Sequence, residues 1–353
     1  MKSWKPIKQL YLEDGWLNIP AVRSFMVEYN LPFLFCIGGR GIGKTYGALE
    51  DARERSLADP EGKHKFMLVR RTQSQVDIIS KQDLSPFKAI DLNHVTYTEC
   101  RPVSKFTTGF WVEDTLIGYV AALSTFSNLR GFSAADIDLI IFDEFIPEAH
   151  EKPIRNEADA LLNLYETVNR NRELTGSPPC LLMCYANSNN LANAIFSGLG
   201  MISIVENMQR KGREQWVIED RGVLILNLDA SPISRKKANT ALYRLAGDQS
   251  DFSKMALANS FRSDTGSVHG SRNIAEYSPI LAVGDLCVYE HKSDGSFYVC
   301  TIFSGSPERY DANKVDLARF KSQNIWLWRE YMRGNIVFRS LEIEILFQRY
   351  FSA

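Results

Sequence analysis

A glycine-rich stretch between an apolar run and a helical one restricts the possible folds of this chain more than any other part of it. The apolar run 33–37 predicts a buried strand, and the residues from Lys44 onward predict a helix. Between them the chain follows the pattern G-x-x-x-x-G-K-[ST] in its required strand-to-helix setting, which indicates a phosphate-binding loop. The residues of this loop are Gly38, Gly39, Arg40, Gly41, Ile42, Gly43, Lys44 and Thr45.

Each residue type in the loop has a physical role in holding a nucleotide. Glycines let backbone N–H groups close around the phosphates, Lys44 places a cation on the β- and γ-phosphates, and Thr45 offers a hydroxyl to Mg²⁺. The alternative is a glycine-rich turn that binds nothing. The complete pattern in this context favours a site for ATP and Mg²⁺.

A second apolar run, 139–142, ends in Asp143 and Glu144. Such a run is typical of a strand buried on both faces of a parallel sheet. The carboxyl ends of parallel strands meet at one edge of the sheet, so these carboxylates are expected near the phosphate loop. We therefore predict that Asp143 supports the metal and that Glu144 activates the attacking water.

Three further polar residues follow predicted strands or helices. Asn187 comes just after the apolar run 180–186, where an amide could sense the γ-phosphate. Arg70 ends the run 66–69 and could contact nucleotide or DNA, although a solvated strand end explains it equally well. Arg170 ends a helix, where it could complement the helix dipole or reach a neighbouring subunit's γ-phosphate as an arginine finger.

Strands alternating with helices predict an α/β sandwich of the P-loop NTPase (ASCE-type) kind with a mostly parallel sheet. The runs 201–205 and 223–228 are expected to extend that sheet, and the alternating runs in 95–122 predict a β-meander. A segment that is rich in Lys and Arg and has helical patterning begins at residue 232, and a polar, glycine-containing stretch begins at residue 263. The predicted domains are 1–231 for the ATPase, 232–262 for a helical linker and 263–353 for a small α+β unit.

The charge of the chain points to local rather than global nucleic-acid binding. The net charge is -1 over 353 residues, which gives no overall attraction to a polyanion. No apolar run approaches the ~20 residues that cross a bilayer, so a soluble protein without a membrane partner is expected. The residues predicted to contact DNA are Arg130, Lys152, Arg235, Lys236 and Lys237.

With these motifs in place, the chain resembles the DNA-packaging ATPases of small protein-primed tailed phages, the phi-twenty-nine type, which are relatives of terminase large subunits. The residues that carry the resemblance are IGGRGIGKT at 37–45, VRR at 69–71, IFDEFI at 141–146, and the block 156–173 that ends in TVNRNRE. The last block is far more specific than the other motifs.

The resemblance implies a homomeric ring, commonly of five subunits, that drives double-stranded DNA into a procapsid through its portal. It assigns phosphate and Mg²⁺ binding to Lys44 and Thr45, a trans-acting arginine to Arg170, and a coupling role to Asn187. Some members of the family dock on a packaging RNA. The expected location is the host cytoplasm, transiently at the portal vertex, with no secretion.

For the last domain, the resemblance implies an RNase H-like nuclease that has become vestigial and serves for docking. A nuclease of this kind needs several carboxylates that meet on two metals. Asp285 is expected on the first strand of a hairpin formed by 280–289 and 297–303, but the second strand carries no acid.

Two other function classes stay open at this level. One is a different P-loop enzyme, helicase-like or kinase-like, although an arginine-rich lid of the kind that kinases need is not visible. The other is an adaptor that binds nucleotide only to assemble. A pure binder needs no water-activating carboxylate, so Glu144 beside Asp143 argues against the adaptor.

Overall fold

The fold is given by a computed structural model that describes residues 4–129, 134–148, 151, 154, 156–187, 193–228, 231–237, 239–246 and 268–352. The chain divides into two compact units. The first comprises Met1–Leu199 and Val205–Arg262, and the second comprises Gly200–Ile204 and Ser263–Ala353.

The first unit is built on a nine-stranded sheet with the order β3-β4-β5-β2-β6-β7-β1-β9-β8. Within this order, all neighbouring pairs from β5 across to β9 are parallel, whereas β3, β4 and β8 pair antiparallel with their neighbours. The predicted α/β fold with a mostly parallel sheet is therefore confirmed. The strands are β1 (Phe33–Gly38), β2 (Lys65–Arg70), β3 (Thr98–Ser104), β4 (Thr107–Val112), β5 (Thr115–Ala122), β6 (Ile137–Asp143), β7 (Leu181–Ala186), β8 (Gln215–Ile218) and β9 (Val223–Leu228).

Strand β7 lies between β1 and β6, with Cys184 opposite Phe35 on one side and Phe142 on the other. These central strands are buried on both faces, as their continuous apolar runs require. Since they are parallel, the phosphate loop after β1, the carboxylates that end β6 and Asn187 after β7 share one edge of the sheet.

Helices of the first unit connect the strands and cover the sheet. Helix α2 begins directly after the loop, and its N-terminal residue is preceded by Gly43 at φ +93°, a left-handed conformation that glycine adopts without steric cost. Its first backbone N–H groups have no side-chain cap. The helices are α1 (Ile19–Glu28), α2 (Lys44–Leu57), α3 (Gln73–Ile79), α4 (Lys88–Asp91), α5 (Glu157–Asn169), α6 (Ala194–Gly198), α7 (Ile202–Arg210), α8 (Pro232–Lys237) and α9 (Ala241–Ala246), with α7 crossing the unit boundary.

The predicted β-meander is present as β3, β4 and β5, and β5 joins it to the main sheet beside β2. Its first strand begins at Thr98, later than the apolar run 95–97 indicated. Val95 is 97% exposed, so this run has no apolar surface to bury against. Apolar composition alone therefore misplaced the start of the strand.

The predicted strand at 201–205 is wrong, because this run begins helix α7. The buried side chains Ile202, Val205 and Met208 recur every three residues, which places them on one face of a helix. The run 223–228 does extend the sheet, as β9.

The second unit is α+β, with a six-stranded sheet of order β10-β15-β13-β12-β11-β14. Its strands are β10 (Val268–His269), β11 (Tyr277–Val283), β12 (Leu286–His291), β13 (Phe297–Cys300), β14 (Glu308–Tyr310) and β15 (Ile336–Phe338). Its later helices are α10 (Lys314–Gln323), α11 (Ile325–Met332) and α12 (Leu341–Ser352).

The hairpin of β12 and β13 is confirmed, but the expected single strand 280–289 is divided into β11 and β12. A tight turn at Gly284, with φ +50°, separates them. Asp285 consequently lies in this turn and is exposed, so its predicted place on a strand is wrong. In the described ranges, no helix has the length and apolar character needed to cross a membrane.

Candidate active site

A cleft of about 840 Å³ opens at the carboxyl edge of the sheet in the first unit. This volume is within the range of small-molecule sites. Its lining combines the phosphate loop, the acids after β6, the end of β7 and a segment before α1. The lining residues include Leu12, Asp14, Trp16, Arg40, Gly41, Gly43, Lys44, Thr45, Tyr46, Glu50, Asn93, Asp143, Glu144 and Asn187.

Lys44 is held by the loop that it serves. Its Nζ donates to the carbonyl oxygens of Gly38 at 2.8 Å and Gly39 at 2.7 Å, and to Asn187 Oδ1 at 3.2 Å. The side chain is only 7% exposed. The structure thus brings Asn187, which follows a distant strand, into contact with the predicted phosphate-binding lysine.

Positive charge accumulates around the phosphate loop. The pKa of Lys44 is lowered from 10.5 to about 8, chiefly by burial; Cys36 and Asp143 oppose this shift, and the nearby Lys237 and Arg40 add to it. Among the described residues, the buried Nε–H groups of Arg40 and Arg70 have no hydrogen-bond partner. Unsatisfied buried donors and mutually repelling cations fit a site that takes a polyanion.

The residues predicted to bind Mg²⁺ are in contact. Thr45 Oγ1 donates to Asp143 Oδ1 at 2.9 Å, and Asp143 is nearly fully buried. Mg²⁺ prefers oxygen ligands and is commonly held by one or two protein groups together with substrate phosphates. A hydroxyl and a carboxylate at the mouth of a phosphate loop have the chemistry that this ion needs.

Glu144 is strained and partly exposed at the edge of the cleft. Its backbone adopts φ +58°, which is uncommon for a non-glycine residue. Burial raises the pKa of Glu144, while the adjacent guanidinium of Arg70 lowers it. Arg70 also donates through Nη1 to Asp143 Oδ2 at 2.6 Å, so one arginine contacts both carboxylates.

A buried ion pair ties strand β2 to helix α5. Arg71 is fully buried, and its Nε donates to Glu157 Oε1 at 2.6 Å at the start of α5. Its Nη1 also lies 3.1 Å from Glu151, in the segment that follows Glu144. Arg71 therefore connects the end of strand β2, the segment that follows Glu144, and helix α5, which is followed directly by Arg170.

Arg170 is exposed at the C-terminal end of α5 and does not line the cleft of its own chain. Its Nε donates to the Thr167 carbonyl at 3.3 Å, and its backbone adopts φ +42°. The pairing that a trans-acting arginine would make involves a second chain, so its predicted role stays a prediction.

The residues predicted to contact DNA fall into two groups. Arg130 and Lys152 lie outside the described residues, as does the side chain of Arg235. Lys236 Nζ donates to the Asp14 carbonyl at 2.8 Å, and Lys237 Nζ donates to the Arg40 carbonyl at 3.0 Å. Both described lysines therefore contact backbone carbonyls of residues that line the cleft, without lining it themselves.

Residues 22–309 match the family described as Podovirus DNA encapsidation protein (Gp16). The chain belongs to this family. The resemblance to phi29-type packaging proteins that the loop and arginine motifs indicated is therefore confirmed.

Two members of this group show how far the sequence similarity extends. The DNA packaging proteins of Bacillus phages B103 and phi29 are each 27% identical to this chain over 241 residues, or 68% of it. The match covers 67% of the B103 protein and 65% of the phi29 protein, so this chain spans about two thirds of these relatives.

Solved structures show a likeness of fold over nearly the whole chain. The bacteriophage Phi-29 viral genome packaging motor assembly aligns with a TM-score of 0.67 at 22% identity, covering 96% of this chain and 99% of that one. The Phi-28 gp11 DNA packaging motor aligns with a TM-score of 0.62 at 19% identity, covering 96% and 98%.

Several site residues of this Gp16-family chain carry no local sequence signal. Trp16 packs against Gly43, since a Cβ added to this glycine would lie 3.3 Å from the Trp16 ring. The sequence of the segment before α1, which contains Trp16, indicates no chemistry by itself. Asn93 Nδ2 donates to the Tyr46 hydroxyl at 2.7 Å, and that hydroxyl is 3.2 Å from Glu50 Oε1. Only the fold brings these residues into the lining of the same cleft as the loop.

Proposed function

We propose that this protein is an ATP-driven motor that moves double-stranded viral DNA into a preformed procapsid. The observation that carries the proposal is the contact between Thr45 and Asp143, with Glu144 beside it at the mouth of a phosphate loop. This arrangement supports ATP hydrolysis, because it combines phosphate binding, metal ligands and a base in one cleft. This chain belongs to a family of DNA encapsidation proteins, so we propose DNA as the molecule that ATP hydrolysis moves.

In the proposed reaction, the backbone N–H groups of the loop and Lys44 bind the β- and γ-phosphates. Thr45 and Asp143 would hold Mg²⁺, which neutralises charge on the phosphates when it is bound. Glu144 accepts the proton of the attacking water, and its raised pKa makes it a stronger base than a glutamate with the ordinary pKa. Asn187 already accepts a hydrogen bond from Lys44, so binding of the γ-phosphate would change a contact at the end of strand β7.

Other lining residues of the cleft suit the adenosine moiety of ATP. Leu12 and Trp16 offer apolar and aromatic surface, and Tyr46, Glu50 and Asn93 offer hydrogen-bonding groups. Ligand sites typically combine such an apolar wall with a few polar groups that fix orientation.

The proposal includes a homomeric ring, in which Arg170 of one subunit completes the site of the next. Its exposure, and its position outside the cleft of its own chain, support a trans role. An arginine supplied in this way stabilises charge in the transition state and typically contributes about 10³–10⁵ in rate. Five subunits, a portal and procapsid partner, and a packaging RNA in some relatives belong to this same proposal.

For the second unit we retain the proposal of a vestigial RNase H-like domain used for docking. Three successive antiparallel strands, β11 to β13, with β14 parallel to β11, support a mixed-sheet α+β domain. Asp285 is exposed in a turn, which favours docking over metal-dependent cleavage. In the part of the chain that the structure describes, no group of three or more acidic, histidine or cysteine side chains is placed to hold a metal.

The decisive experiment is steady-state ATP hydrolysis with and without double-stranded DNA, over a range of protein concentrations. Wild type is compared with Glu144→Gln and Arg170→Ala. We expect a rate that rises with concentration and DNA and that falls by roughly 10²–10⁴ in Glu144→Gln, the usual contribution of a general base. Arg170→Ala should also lose activity while still binding ATP.

The outcomes separate the parts of the proposal. If Glu144→Gln is inactive but Arg170→Ala and concentration have no effect, each subunit hydrolyses ATP alone and the trans arginine is refuted. If DNA never stimulates hydrolysis and nucleotide never induces rings, the motor itself is refuted. Unwinding of a forked duplex would indicate a helicase, and phosphoryl transfer to a nucleoside monophosphate would indicate a kinase.

A further inference from the structure

Helix α8 follows the last parallel strand closely and lies against the phosphate loop. Lys237, at its end, donates from Nζ to the Arg40 carbonyl at 3.0 Å. A Cβ on Gly41 would lie 2.0 Å from the same Nζ, so the ammonium sits directly over the backbone of the loop. Gly41 lines the nucleotide cleft, and its φ of +60° gives a second reason for glycine.

The charge environment of Lys237 is unusual for a lysine at a helix end. It is half-buried, and no carboxylate of the described residues lies within ion-pair distance of it. The neighbouring cations are Lys44 and Arg40 of the loop; Arg40 pairs with Glu148, whereas Lys237 adds to the positive charge that Lys44 experiences. A half-buried cation that faces other cations is unfavourable unless an anion joins them.

We infer that Lys237 is a second phosphate-binding lysine, supplied to the ATP site by helix α8. The inference rests on the proposed ATPase function and adds a residue outside the phosphate-loop pattern. Its ammonium has three donors, of which the Arg40 carbonyl takes one. The polyphosphate of ATP would bring negative charge to the adjacent Gly41 backbone, within reach of the flexible lysine side chain.

Through a contact between Lys237 and the phosphates, helix α8 would respond directly to nucleotide binding. Lys236, the preceding residue, donates to the Asp14 carbonyl on the rim of the same cleft. Helix α8 is thereby attached to the cleft at two points, one of which would strengthen when phosphates are present. Nucleotide occupancy would hold α8 against the loop.

The test measures ATP and ADP binding to the full-length protein by calorimetry for wild type and Lys237→Met. The matched control is Lys211→Met, which removes the same charge from an exposed lysine of the first unit that does not line the cleft. We expect Lys237→Met to weaken ATP binding about tenfold, as for a charged hydrogen bond reduced by partial exposure. Lys211→Met should stay within twofold of wild type, and Lys237→Arg should retain most of the affinity.

A measurement on the wild type covers the case in which a variant fails to fold. The rate at which acetic anhydride modifies Lys237, read by mass spectrometry, should fall when ATP is added and stay constant with adenosine. An unchanged rate with saturating ATP overturns the inference. So does Lys237→Met binding ATP as tightly as wild type, or losing DNA affinity alone, which would assign Lys237 to a DNA surface.

Lys44→Ala distinguishes failure of this inference from failure of the proposed function. If Lys44→Ala loses ATP and Lys237→Met does not, the ATP site stands and only the role of Lys237 falls. If wild type binds no ATP, or if Lys44→Ala binds it normally, the ATPase proposal and this inference fall together.

Discussion

Replacing Arg71 by methionine should destabilise the link between strand β2 and helix α5 more than any exposed ion pair could. Both partners of the Arg71–Glu157 pair are buried, at 0% and 1% side-chain exposure, and their atoms lie 2.6 Å apart. Removing one member of such a pair leaves the other as an unpaired buried charge, which typically costs about 3–5 kcal/mol. Because each 1.4 kcal/mol is tenfold, amide exchange in α5 should accelerate between about a hundredfold and a few thousandfold.

The assay is hydrogen exchange of the intact protein, followed by mass spectrometry of peptides from α5. The matched control is Arg101→Met, which removes an arginine from the exposed Arg101–Glu99 pair, at 41% and 54% side-chain exposure. Exposed pairs contribute about 0–1 kcal/mol, so exchange near this pair should change by less than tenfold. If α5 exchanges no faster in Arg71→Met than in the control, the argument from burial is refuted.

A double variant separates the buried charge from the loss of packing. In Arg71→Met with Glu157→Met, the fully buried pair is removed as a whole and only the partly exposed Glu151 loses a partner. Apolar pairs of similar volume often match the stability of the ion pair they replace. We expect α5 protection to recover in large part. ATPase activity should recover less if α5 must hold Arg170 in one orientation.

Three further predictions concern the loop and DNA. Since the pKa of Lys44 is lowered to about 8 and phosphates favour its ammonium form, ATP binding above pH 8 should take up protons and weaken as pH rises. Calorimetry in buffers of different ionisation enthalpy measures this uptake, and Lys44→Arg, whose guanidinium stays charged at these pH values, should abolish it. Gly43→Ala should impair ATP binding and cost about 1 kcal/mol or more of stability, because φ +93° strains any other residue and Trp16 lies close; unchanged binding and melting temperature would contradict this. DNA binding should be independent of sequence and fall steeply with salt, as phosphate contacts require, and a footprint at one fixed sequence would disprove it.

The local sequence specified the phosphate loop. Its strand, turn and helix are consecutive, so the positions of Lys44 and Thr45 follow from geometry that the motif itself imposes. The same reasoning extends to Asp143, because a continuous apolar run predicts a buried parallel strand whose carboxyl end must face the loop. The start of α2 at Lys44 and the end of α5 at Asn169, directly before Arg170, also agree with the sequence prediction.

Short apolar runs were not predictable in the same way. The run 201–205 has the composition of a strand, but its buried residues continue at helical spacing into α7. The run 280–289 has the length of one strand, but Gly284 turns the chain back and leaves Asp285 exposed. In both places the outcome depends on which surface each side chain can bury against, and this is a property of the assembled sheet.

Contacts between distant segments depend on how the elements pack. No pattern in the sequence pairs Arg71 with Glu157, places Asn93 on Tyr46, or brings Lys237 from a predicted DNA-contacting cluster onto the phosphate loop. The spacing of apolar residues along the chain predicts which face of a helix or strand each side chain occupies. The residue that a side chain contacts depends on which elements pack against that face. The amino-acid sequence alone therefore specified the kind of chemistry at this site, and the packing of the elements selected which additional charges and aromatic groups surround it.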